Sequence, residues 1–574
     1  MKQHTYILGI HDGHNCGAAL SLDGAIVAAI CEERLTGRKN EVGFPERSIL
    51  EVMRIAGIGP ESLAEVAYSS LFMHWPEYLK DLEPWYVVGL REQRMAQAKP
   101  KEDQKLVFRQ RHAERIQQAV DLLGVDVAKV TFVEHHEAHA AAAYYSAPNA
   151  LTDGPTLCVT CDGSGDSLCA TISLCQGERI QRIAETGRHD SLGKIYSRAT
   201  MLMGMKPWEH EYKLMGLAPY ADPERCDRAA EPLRRILRLR KDGLGFERTG
   251  ELSMNFCYEY LRDNFERIRF DTIAGAVQLF TEEMLIGLVR GAVRHTGVRH
   301  VVCGGGVFMN VKANMLIGEL DEVESLYVMP SGGDESLALG ACLRRQHQLY
   351  PETRVGVGVF DNLYLGGEWG VDDETRAMDE MLTDDSILVS RPADMDAEVA
   401  RLLARGDVVA RSRGRMEWGA RSLGNRSILA SADDYRVVEK INNMIKQRDF
   451  WMPFAPSIRE ESAPRYYDDP KGIRPEYMTF AFRTKTETYR DLTAGSHPRD
   501  RTIRPQLVTS RANPRYHALI SAFEQQTGRG VVLNTSFNLH GFPVVYTPAQ
   551  AIDVFLRSGL DHLALEGHLL SKKS

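Results

Sequence analysis

The sequence predicts a mixed α/β protein with at least two domains, the first of which contains an internal duplication. Three observations support this prediction: the chain has 574 residues, a three-strand pattern occurs twice in its first half, and its character changes near residue 386. A single hydrophobic core stops growing at about 250–300 residues, so a chain of this length is expected to divide. We predict domains at 1–350 and 386–574, joined by a connecting segment at 351–385.

The composition is ordinary for a globular enzyme, with 43% hydrophobic and 26% charged residues. The net charge of −8 argues against nucleic-acid binding, which requires a basic stripe. No run reaches the about 18 apolar residues of a membrane span, and the N-terminal apolar stretch is too short for a signal peptide. The scattered cysteines indicate reduced thiols. We therefore expect a cytoplasmic protein without nucleic-acid or membrane partners. A homodimer is compatible with the sequence.

The first half begins with three predicted strands, in YILGIHDG, CGAALSLDG and AIVAAICEE. Apolar and β-branched residues fill each run, and Asp-Gly marks the turns. The pattern recurs from residue 156, in TLCVTCDGSG, DSLCATISLCQG and ERIQRIAET. Two distant copies do not make a solenoid. They predict one fold duplicated into two halves facing a cleft, as in the actin/hexokinase-like fold.

Two glycine loops follow a helix that the pattern predicts at 271–297. HVVCGGGVFMN indicates a strand that runs into a glycine loop, and MPSGGDESLALGACLRRQH indicates a glycine loop that opens a helix. Free backbone N–H groups and the helix dipole favour an anion at such loops, so both are candidate phosphate cradles. A packed turn is the alternative, because the pattern is short.

The stretch EHHEAHA at 134–140 places His135 and His139 four residues apart, on one face of a predicted helix. The spacing differs from the HExxH motif of zinc proteases, and a helix cap or a pair of core histidines is the structural alternative. Asp162 and Asp334 favour a metal site, since both occupy positions that can converge on the cleft of a two-lobed fold. Two histidines with carboxylates suit Fe(II) or a similar divalent ion, which can act as a Lewis acid.

His14 lies in HDGHNCGAA, between the first two predicted strands. The duplicated fold places a phosphate loop at this position. A histidine here is either a turn residue or a general base that takes the proton of a substrate hydroxyl.

Basic and aromatic residues cluster in the last third of the chain, in RSRGRMEWGARSLGNRS and IKQRDFWMPFAPSIRE. A solvated basic face is the ordinary explanation, but cations mixed with tryptophan and phenylalanine are not an ordinary surface. Guanidinium groups match phosphate oxygens in pairs, and the later NTSFN loop adds hydroxyl and amide donors. We predict an anion or nucleotide site that contains Arg421, Arg426, Lys446 and Arg448.

Several ordered segments carry a family resemblance: EERLTGRKNEVGFPERSI, HHEAHAAAAYYSA, EYKLMGLAPYA, GGGVFMNVKAN, PSGGDESLALGA, GRMEWGARSLGNRSILA, INNMIKQRDFWMPFAPSI and LNTSFNLHGFPVV. Over essentially the whole chain they resemble the NodU/CmcH O-carbamoyltransferases, tailoring enzymes of antibiotic and nodulation-factor biosynthesis. The resemblance implies an actin-like N-terminal domain, similar to the universal tRNA threonylcarbamoyl transferase with its iron site. It implies a C-terminal domain similar to the YrdC carbamoyl-adenylate synthases.

The same resemblance implies a reaction in two steps. The C-terminal site converts carbamoyl phosphate and ATP, supplied with Mg, to carbamoyl-adenylate, and releases pyrophosphate and phosphate. The N-terminal site then transfers the carbamoyl group to a hydroxyl of a small-molecule natural product and releases AMP.

The resemblance also assigns residues to roles. It implies that the metal ligands are His135, His139, Asp162 and Asp334. It implies two catalytic residues, the base His14 and Lys39. For the nucleotide in the N-terminal domain it implies Gly163, Gly305, Asn310 and Gly333. For carbamoyl phosphate and ATP in the C-terminal domain it implies Arg421, Lys446, Arg448, Arg504, Ser536 and Asn538.

The chain departs from the family pattern at two places. Ala420-Arg421-Ser422-Leu423-Gly424 stands where the family has Pro-Arg-Ala-Leu-Gly, and Met452 stands where it has arginine before Pro-Phe-Ala-Pro. The missing guanidinium removes one phosphate contact, for which Arg448 or Arg459 is a candidate replacement.

Two other functions fit part of the sequence. A sugar or acetate kinase would also have a duplicated actin-like fold, but it leaves the C-terminal arginines and the histidine pair unexplained. A non-enzymatic ATP-binding or tRNA-associated module is the second alternative, and the net charge of −8 counts against RNA.

Overall fold

The structure is a computed structural model that describes residues 4–353, 359, 361–382 and 386–573. The chain divides into two compact units. The first consists of Met1–Glu32 and Asn40–Phe360, and the second of Glu33–Lys39 and Asp361–Ser574. The segment Glu33–Lys39 therefore packs with the second unit, although its sequence position would place it in the first. Most of the predicted connecting segment also belongs to the second unit, in which 371–381 forms a helix, while 354–358, 360 and 383–385 lie outside the described residues.

The strands, numbered β1 to β22 in chain order, are Tyr6–His11, Gly17–Leu22, Ala25–Cys31, Leu63–Ser69, Val130–Val133, Thr156–Gly165, Leu168–Gln176, Arg179–Gly187, Leu237–Leu239, Phe246–Arg248, His300–Gly304, Ser325–Val328, Ile387–Ser390, Val409–Ser412, Arg426–Ser431, Ala455–Arg459, Phe482–Arg483, Thr502–Ile503, Gln506–Val508, Val531–Ser536, His562–Ala564 and Leu569–Lys572.

The helices, numbered α1 to α20, are Glu33–Thr36, Glu46–Ala56, Pro76–Lys80, Leu90–Gln97, Lys101–Leu123, His135–Tyr145, Asn149–Thr152, Leu192–Leu202, Glu211–Leu217, Pro223–Arg234, Tyr258–Phe265, Phe270–Thr296, Val311–Gly318, Leu337–Leu349, Val371–Met381, Met395–Ala404, Arg436–Ile441, Ala463–Tyr466, Pro514–Thr527 and Pro548–Arg557. A π-helical turn, Asn442–Lys446, extends α17.

The first unit contains two five-stranded sheets with the same topology. One has the order β3-β2-β1-β4-β5, with antiparallel β1, β2 and β3 and parallel β1, β4 and β5. The other has the order β8-β7-β6-β11-β12, again with three antiparallel strands followed by two parallel additions. The two copies of the sequence pattern correspond to β1–β3 and β6–β8. The predicted α/β class is therefore confirmed, and the repeat is a duplicated sheet.

Glycines allow α14 to pack closely on both α6 and β1. A Cβ atom at Gly9 of β1 would overlap the carbonyl oxygen of Ala338 in α14. A Cβ atom at Gly340 of α14 would likewise overlap the carbonyl oxygen of Ala138 in α6. Only glycine permits backbones to approach this closely. The contact brings the loop before α14 beside the start of α6, where the candidate metal site lies.

Helix α12, predicted at 271–297, spans Phe270–Thr296 and ends at Gly297, which has a φ of 71°. Among the described residues it is the one helix long and apolar enough, by length and composition, to cross a membrane. However, 72% of its most apolar 18-residue window is buried inside the protein, as expected of a core helix.

The second unit is built on an eight-stranded mixed sheet with the order β13-β22-β21-β14-β15-β20-β16-β19. Helices α16 and α19 pack together against it, and their fully buried residues include Leu403 and Phe523. The sequence predicts two strands in VVLNTSFNLHGFPVV, but only Val531–Ser536 is one. The second prediction is wrong because residues near Val545 make a single backbone hydrogen bond, from the Val545 N–H to the Phe537 carbonyl, instead of a strand ladder.

Candidate active site

Helix α6 begins at His135 because three features fix its first turn. The Glu134 carboxylate caps the helix by accepting hydrogen bonds from the N–H groups of His136 and Glu137. The Asp166 carboxylate accepts the His135 N–H at 2.8 Å, which ties the helix to the β6–β7 turn. A Cβ atom at Gly165 would overlap the His135 imidazole, so glycine is required there. These contacts hold the first histidine of the predicted pair in place.

The structure brings together the four predicted metal ligands. Their ligand atoms lie within 4.8 Å of one another. His135 Nε2 lies 3.4 Å from Asp162 Oδ2, and His139 Nε2 lies 3.8 Å from Asp334 Oδ1. Both Nε2 atoms are buried and lack a hydrogen-bond partner among the described residues. Buried polar atoms are rarely left unpaired, so the two nitrogens point to a ligand.

The tautomer of His139 follows from its neighbours. The Ser336 hydroxyl donates to the Gly333 carbonyl at 2.8 Å, so its oxygen is left to accept the proton of His139 Nδ1, 3.2 Å away. With its proton on Nδ1, His139 presents the lone pair of Nε2 to the centre of the group. His135 Nδ1 also lies beside a serine hydroxyl, with Ser70 Oγ 3.0 Å away.

The carboxylates are held ionised by the histidines around them. Burial disfavours the charge of Asp162, but the neighbouring His135 and His139 outweigh burial and lower the pKa of this carboxyl. Asp162 Oδ1 also accepts the Gly306 N–H at 2.9 Å. In return, although burial opposes it, Asp162 and Asp334 raise the pKa of the His135 imidazole to about 9. Two imidazole nitrogens, once unprotonated, and two carboxylates form a donor set that fits a divalent ion such as Fe(II).

His11 is a residue of this site that the sequence reasoning missed. It ends β1, is buried, and its Nε2 lies 3.9 Å from Asp334 Oδ2. Nε2 donates to the carbonyl oxygen of His14 at 3.0 Å, and Nδ1 contacts Ser69 Oγ at 2.9 Å. Burial lowers the pKa of His11 to about 4, so the ring is neutral. Its position at the end of an apolar strand was the available signal.

His14 itself lies on the loop between β1 and β2 and is half-buried. Its ring packs edge-on against Trp208, with centroids 5.6 Å apart. Trp208 has a left-handed backbone, with a φ of 64°, and its N–H donates to Glu211 Oε1 at 2.6 Å. A bulky residue in this conformation is strained and persists only where its surroundings fix it. The predicted base His14 thus packs against an aromatic ring whose position is fixed.

The glycine loops have structural roles of their own. Gly305 has a φ of 95°, and a Cβ atom there would overlap the Cys161 carbonyl. The Asn310 amide caps α13 and exchanges two hydrogen bonds with Gln278, at 2.8 and 3.0 Å. Gly333 precedes Asp334, and Gly163 lies beside the Lys194 ammonium. Their predicted contacts with a nucleotide stay predictions.

Three residues that the family resemblance assigns to one site of the second unit form a hydrogen-bonded group: Lys446, Ser536 and Asn538. The buried Lys446 ammonium donates to Ser536 Oγ at 3.0 Å and to Asn538 Oδ1 at 2.6 Å. Burial, followed by the charges of Arg448 and Lys39, places the pKa of Lys446 well below its ordinary value. Lys39 therefore lies in the second unit, near this group.

The other predicted cations of this unit differ in their surroundings. Arg448 donates to Thr535 Oγ1 at 3.1 Å, and its guanidinium lies 4.9 Å from the centre of the Phe454 ring. Arg421 and Arg504 are half-buried in loops of the same unit. Arg426 is fully buried and donates to the carbonyl oxygens of Gly414, Asn425 and Tyr546, at 3.0 to 3.3 Å. These bonds give Arg426 a structural role, and its predicted contact with an anion stays a prediction.

Comparisons with known proteins identify a family. The carbamoyltransferase N-terminus family model matches residues 6–343, and the carbamoyltransferase C-terminus model matches 400–572. An uncharacterized Synechocystis protein is 31% identical, over 99% of this chain and 97% of its own length. Nodulation protein NolNO of Sinorhizobium fredii is 29% identical, over 98% of this chain and 79% of its own length. The 3′-hydroxymethylcephem-O-carbamoyltransferase of Amycolatopsis lactamdurans is 32% identical, over 41% of this chain and 42% of its own length.

Solved structures are more distant. Full-length HypF in its phosphate- and nucleotide-bound form covers 62% of this chain and 48% of its own at 13% identity, with a TM-score of 0.34. A likeness this weak supports no inference about function. The two family models span most of the chain between them, and the O-carbamoyltransferase relative is similar in sequence. The resemblance to the NodU/CmcH enzymes is therefore confirmed, and the chain belongs to the carbamoyltransferase family.

Proposed function

We propose that the protein is an ATP-dependent O-carbamoyltransferase that makes carbamoyl-adenylate in its second unit and uses it in its first. The observation that carries the proposal is the pair of unpartnered Nε2 atoms on His135 and His139, facing two carboxylates. The proposal extends to an actin-like first unit and a YrdC-like second unit. It also extends to Fe(II) or a similar divalent ion, to ATP with Mg, and to a cytoplasmic location.

In the second unit, Lys446, Arg448 and Lys39 supply the positive charge that carbamoyl phosphate and ATP require. Lys446 is bonded to neutral oxygens and forms no ion pair among the described residues. A buried cation of this kind is destabilised until an anion joins it. Carbamoyl phosphate, water and ATP together yield carbamoyl-adenylate, phosphate and pyrophosphate. The cations bind the phosphoryl groups and stabilise the charge that develops on the departing pyrophosphate.

Met452 replaces the arginine that the family pattern has in this unit. Of the two candidate replacements, Arg459 is already paired, with its Nη2 2.7 Å from Glu524 Oε2. Arg448 makes a neutral hydrogen bond to Thr535 and contacts the face of Phe454. Arg448 is the residue we expect to replace the missing guanidinium, because its charge acts on the buried Lys446 of the predicted anion site.

In the first unit, His14 takes the proton of the acceptor hydroxyl while the hydroxyl oxygen attacks the carbamoyl carbon. The bond from that carbon to the adenylate oxygen breaks, and AMP leaves. His11, neutral and bonded to the His14 carbonyl, fixes the loop that carries the base. When bound by His135, His139, Asp162 and Asp334, a divalent ion supplies Lewis-acid stabilisation of negative oxygen.

The test separates the two half-reactions. Chelation, with Mg-ATP restored in excess, should stop carbamoyl transfer while pyrophosphate release from carbamoyl phosphate and ATP continues. His14→Ala should likewise keep pyrophosphate release and lose the carbamoylated product, measured by mass spectrometry. A product that is phosphorylated, with ADP formed in place of AMP, would show a kinase instead. Loss of pyrophosphate release in His14→Ala would show that the two steps are not divided between the units.

A further inference from the structure

An aromatic row lies in the first unit beyond the candidate base. The Phe72 and His74 rings are 4.8 Å apart, His74 and Tyr78 are 4.6 Å apart, and Tyr78 and Trp85 are 6.1 Å apart. We call Phe72, His74, Tyr78 and Trp85 the aromatic row. Tyr78 is 51% exposed, so the row is open to a ligand.

One cation lies against this row, and two more act on it electrostatically. The Arg198 guanidinium is 4.4 Å from the centre of the Trp85 ring. Arg188 and Lys194 are close enough to His74 that, after burial, their charges contribute most to lowering the pKa of its imidazole to about 4. Arg188 and Arg198 also act on Tyr78. The imidazole of His74 is therefore neutral and does not add to the charge.

Arg198 is the unusual member, because it is completely buried without an acidic partner. It donates to the Asn255 carbonyl at 3.2 Å and to Met201 Sδ at 3.3 Å, and its Nε has no hydrogen-bond partner. Within the described part of the chain, neither Arg198, Lys194 nor Arg188 forms an ion pair. Lys194 is half-buried and Arg188 is exposed, but Arg198 is fully buried. Arginine is almost never fully buried unless it is paired, so Arg198 lacks an anion.

The nearest carboxylates do not fill this role. Asp162, Asp334 and Glu211 act on Lys194 from a distance. The first two belong to the candidate metal site, and Glu211 accepts the Trp208 N–H. An acid that would pair with Arg198 is not among the groups that act on it.

The row and its cations are continuous with the candidate base. The Lys194 ammonium lies 5.4 Å from the centre of the Trp208 ring, and the same ring contacts His14. A Cβ atom at Gly13 would press on the Met73 methyl group, so the loop of His14 packs on the segment that carries Phe72 and His74. A molecule seated on the row would therefore reach the base.

We propose that the aromatic row with Arg188, Lys194 and Arg198 is the acceptor pocket, and that it takes a hydroxylated ring compound bearing a carboxylate or phosphate group. This inference rests on the proposed carbamoyl transfer. The ring of the acceptor stacks on the aromatic side chains, and its anionic group supplies the partner that Arg198 and Lys194 lack. Polycationic acceptors are repelled by the three charges, and neutral ones leave the buried cation unpaired.

Equilibrium binding to four probes tests this pocket: glucose, glucose 6-phosphate, glucuronic acid and glucosamine. Glucose 6-phosphate or glucuronic acid should bind the wild type about tenfold or more tightly than glucose, the effect of one charge-assisted hydrogen bond. Glucosamine should bind least. Arg188→Ala and Lys194→Met should each reduce the preference for the anionic sugar. Arg179→Ala is the matched control, because Arg179 lies at the other end of β8, is exposed, and should leave the preference unchanged.

The outcomes separate the pocket from the proposed reaction. A phosphate preference and a carboxylate preference both support the pocket, and each identifies which anion the acceptor carries. Equal binding of charged and neutral sugars, no binding of any probe, or a preference that survives the Arg188→Ala/Lys194→Met double change overturns it. Variants that lose AMP affinity but keep anionic-sugar affinity overturn it too, since the cations would then serve the nucleotide. Absence of pyrophosphate release would instead reject the proposed reaction and leave the binding result standing.

Discussion

Replacing Ser336 with alanine is expected to weaken metal binding about 10- to 100-fold without unfolding the protein. Ser336 touches no proposed substrate, but its oxygen accepts the Nδ1 proton of His139 while its hydroxyl is committed to the Gly333 carbonyl. Without that acceptor, the imidazole is free to place its proton on Nε2, the atom that faces Asp334. Loss of such an orienting partner typically costs 10- to 100-fold in metal affinity, about 1.4 to 2.7 kcal/mol.

The effect on folding should be smaller and separable. The variant loses two buried hydrogen bonds, each worth about 0.5–1.5 kcal/mol, and leaves a void the size of one oxygen atom. Metal-free wild type and variant should therefore both unfold cooperatively, with a modest fall in the variant's midpoint temperature. His139→Ala should bind metal more weakly than Ser336→Ala, because it removes the donor atom itself.

The assay is anaerobic titration with Fe(II) against a competing chelator, together with elemental analysis of the purified proteins. Ser336→Thr, which keeps the hydroxyl, is the matched control and should retain most of the affinity. Unchanged metal affinity in Ser336→Ala would refute the inferred tautomer. A loss of stability in the metal-free protein with no loss of metal affinity would show that the serine is only structural.

Three further predictions follow from the two sites. Lys446→Met should abolish pyrophosphate release but leave metal content unchanged, because Lys446 and the metal ligands belong to different units. A variant that also loses metal would contradict this division. Metal affinity should rise up to about tenfold per pH unit between pH 7 and 9 and then level off. The reason is that the pKa of His135 in the metal-free site is raised to about 9, and its proton must leave before the ion binds. Titrations that give the same affinity at pH 7 and 9 would disprove this prediction. Met452→Arg should lower the apparent KM for carbamoyl phosphate or ATP, because a charge-assisted hydrogen bond to phosphate contributes roughly 1.5–3 kcal/mol. If steady-state kinetics give an unchanged or raised KM for both substrates, the site has reorganised around methionine.

The sequence by itself determined the features that depend on neighbours along the chain. Apolar runs closed by Asp-Gly turns were sufficient for β1 to β3 and for their copies β6 to β8, because side-chain period and turn chemistry are local. The spacing of His135 and His139 was sufficient to place both on one helix face, since residues four apart in a helix lie side by side. Ordered motifs were sufficient to predict the family, which the family models confirm.

Other features were decided only by the tertiary structure. What a guanidinium binds depends on what packs around it. The sequence alone therefore could not show that Arg426, unlike its neighbours in the cluster, donates to four backbone carbonyls. Lys39 follows β3 in sequence yet packs with the second unit, because compact units are defined by contacts between distant segments. His11 and Ser336 act on the metal ligands from β1 and from the start of α14, and Arg198 is buried without an acid on α8. Convergence of this kind is set by sheet topology and by the close packing of α14 on α6 and β1, which join residues up to hundreds of positions apart and leave no periodic signal in the chain.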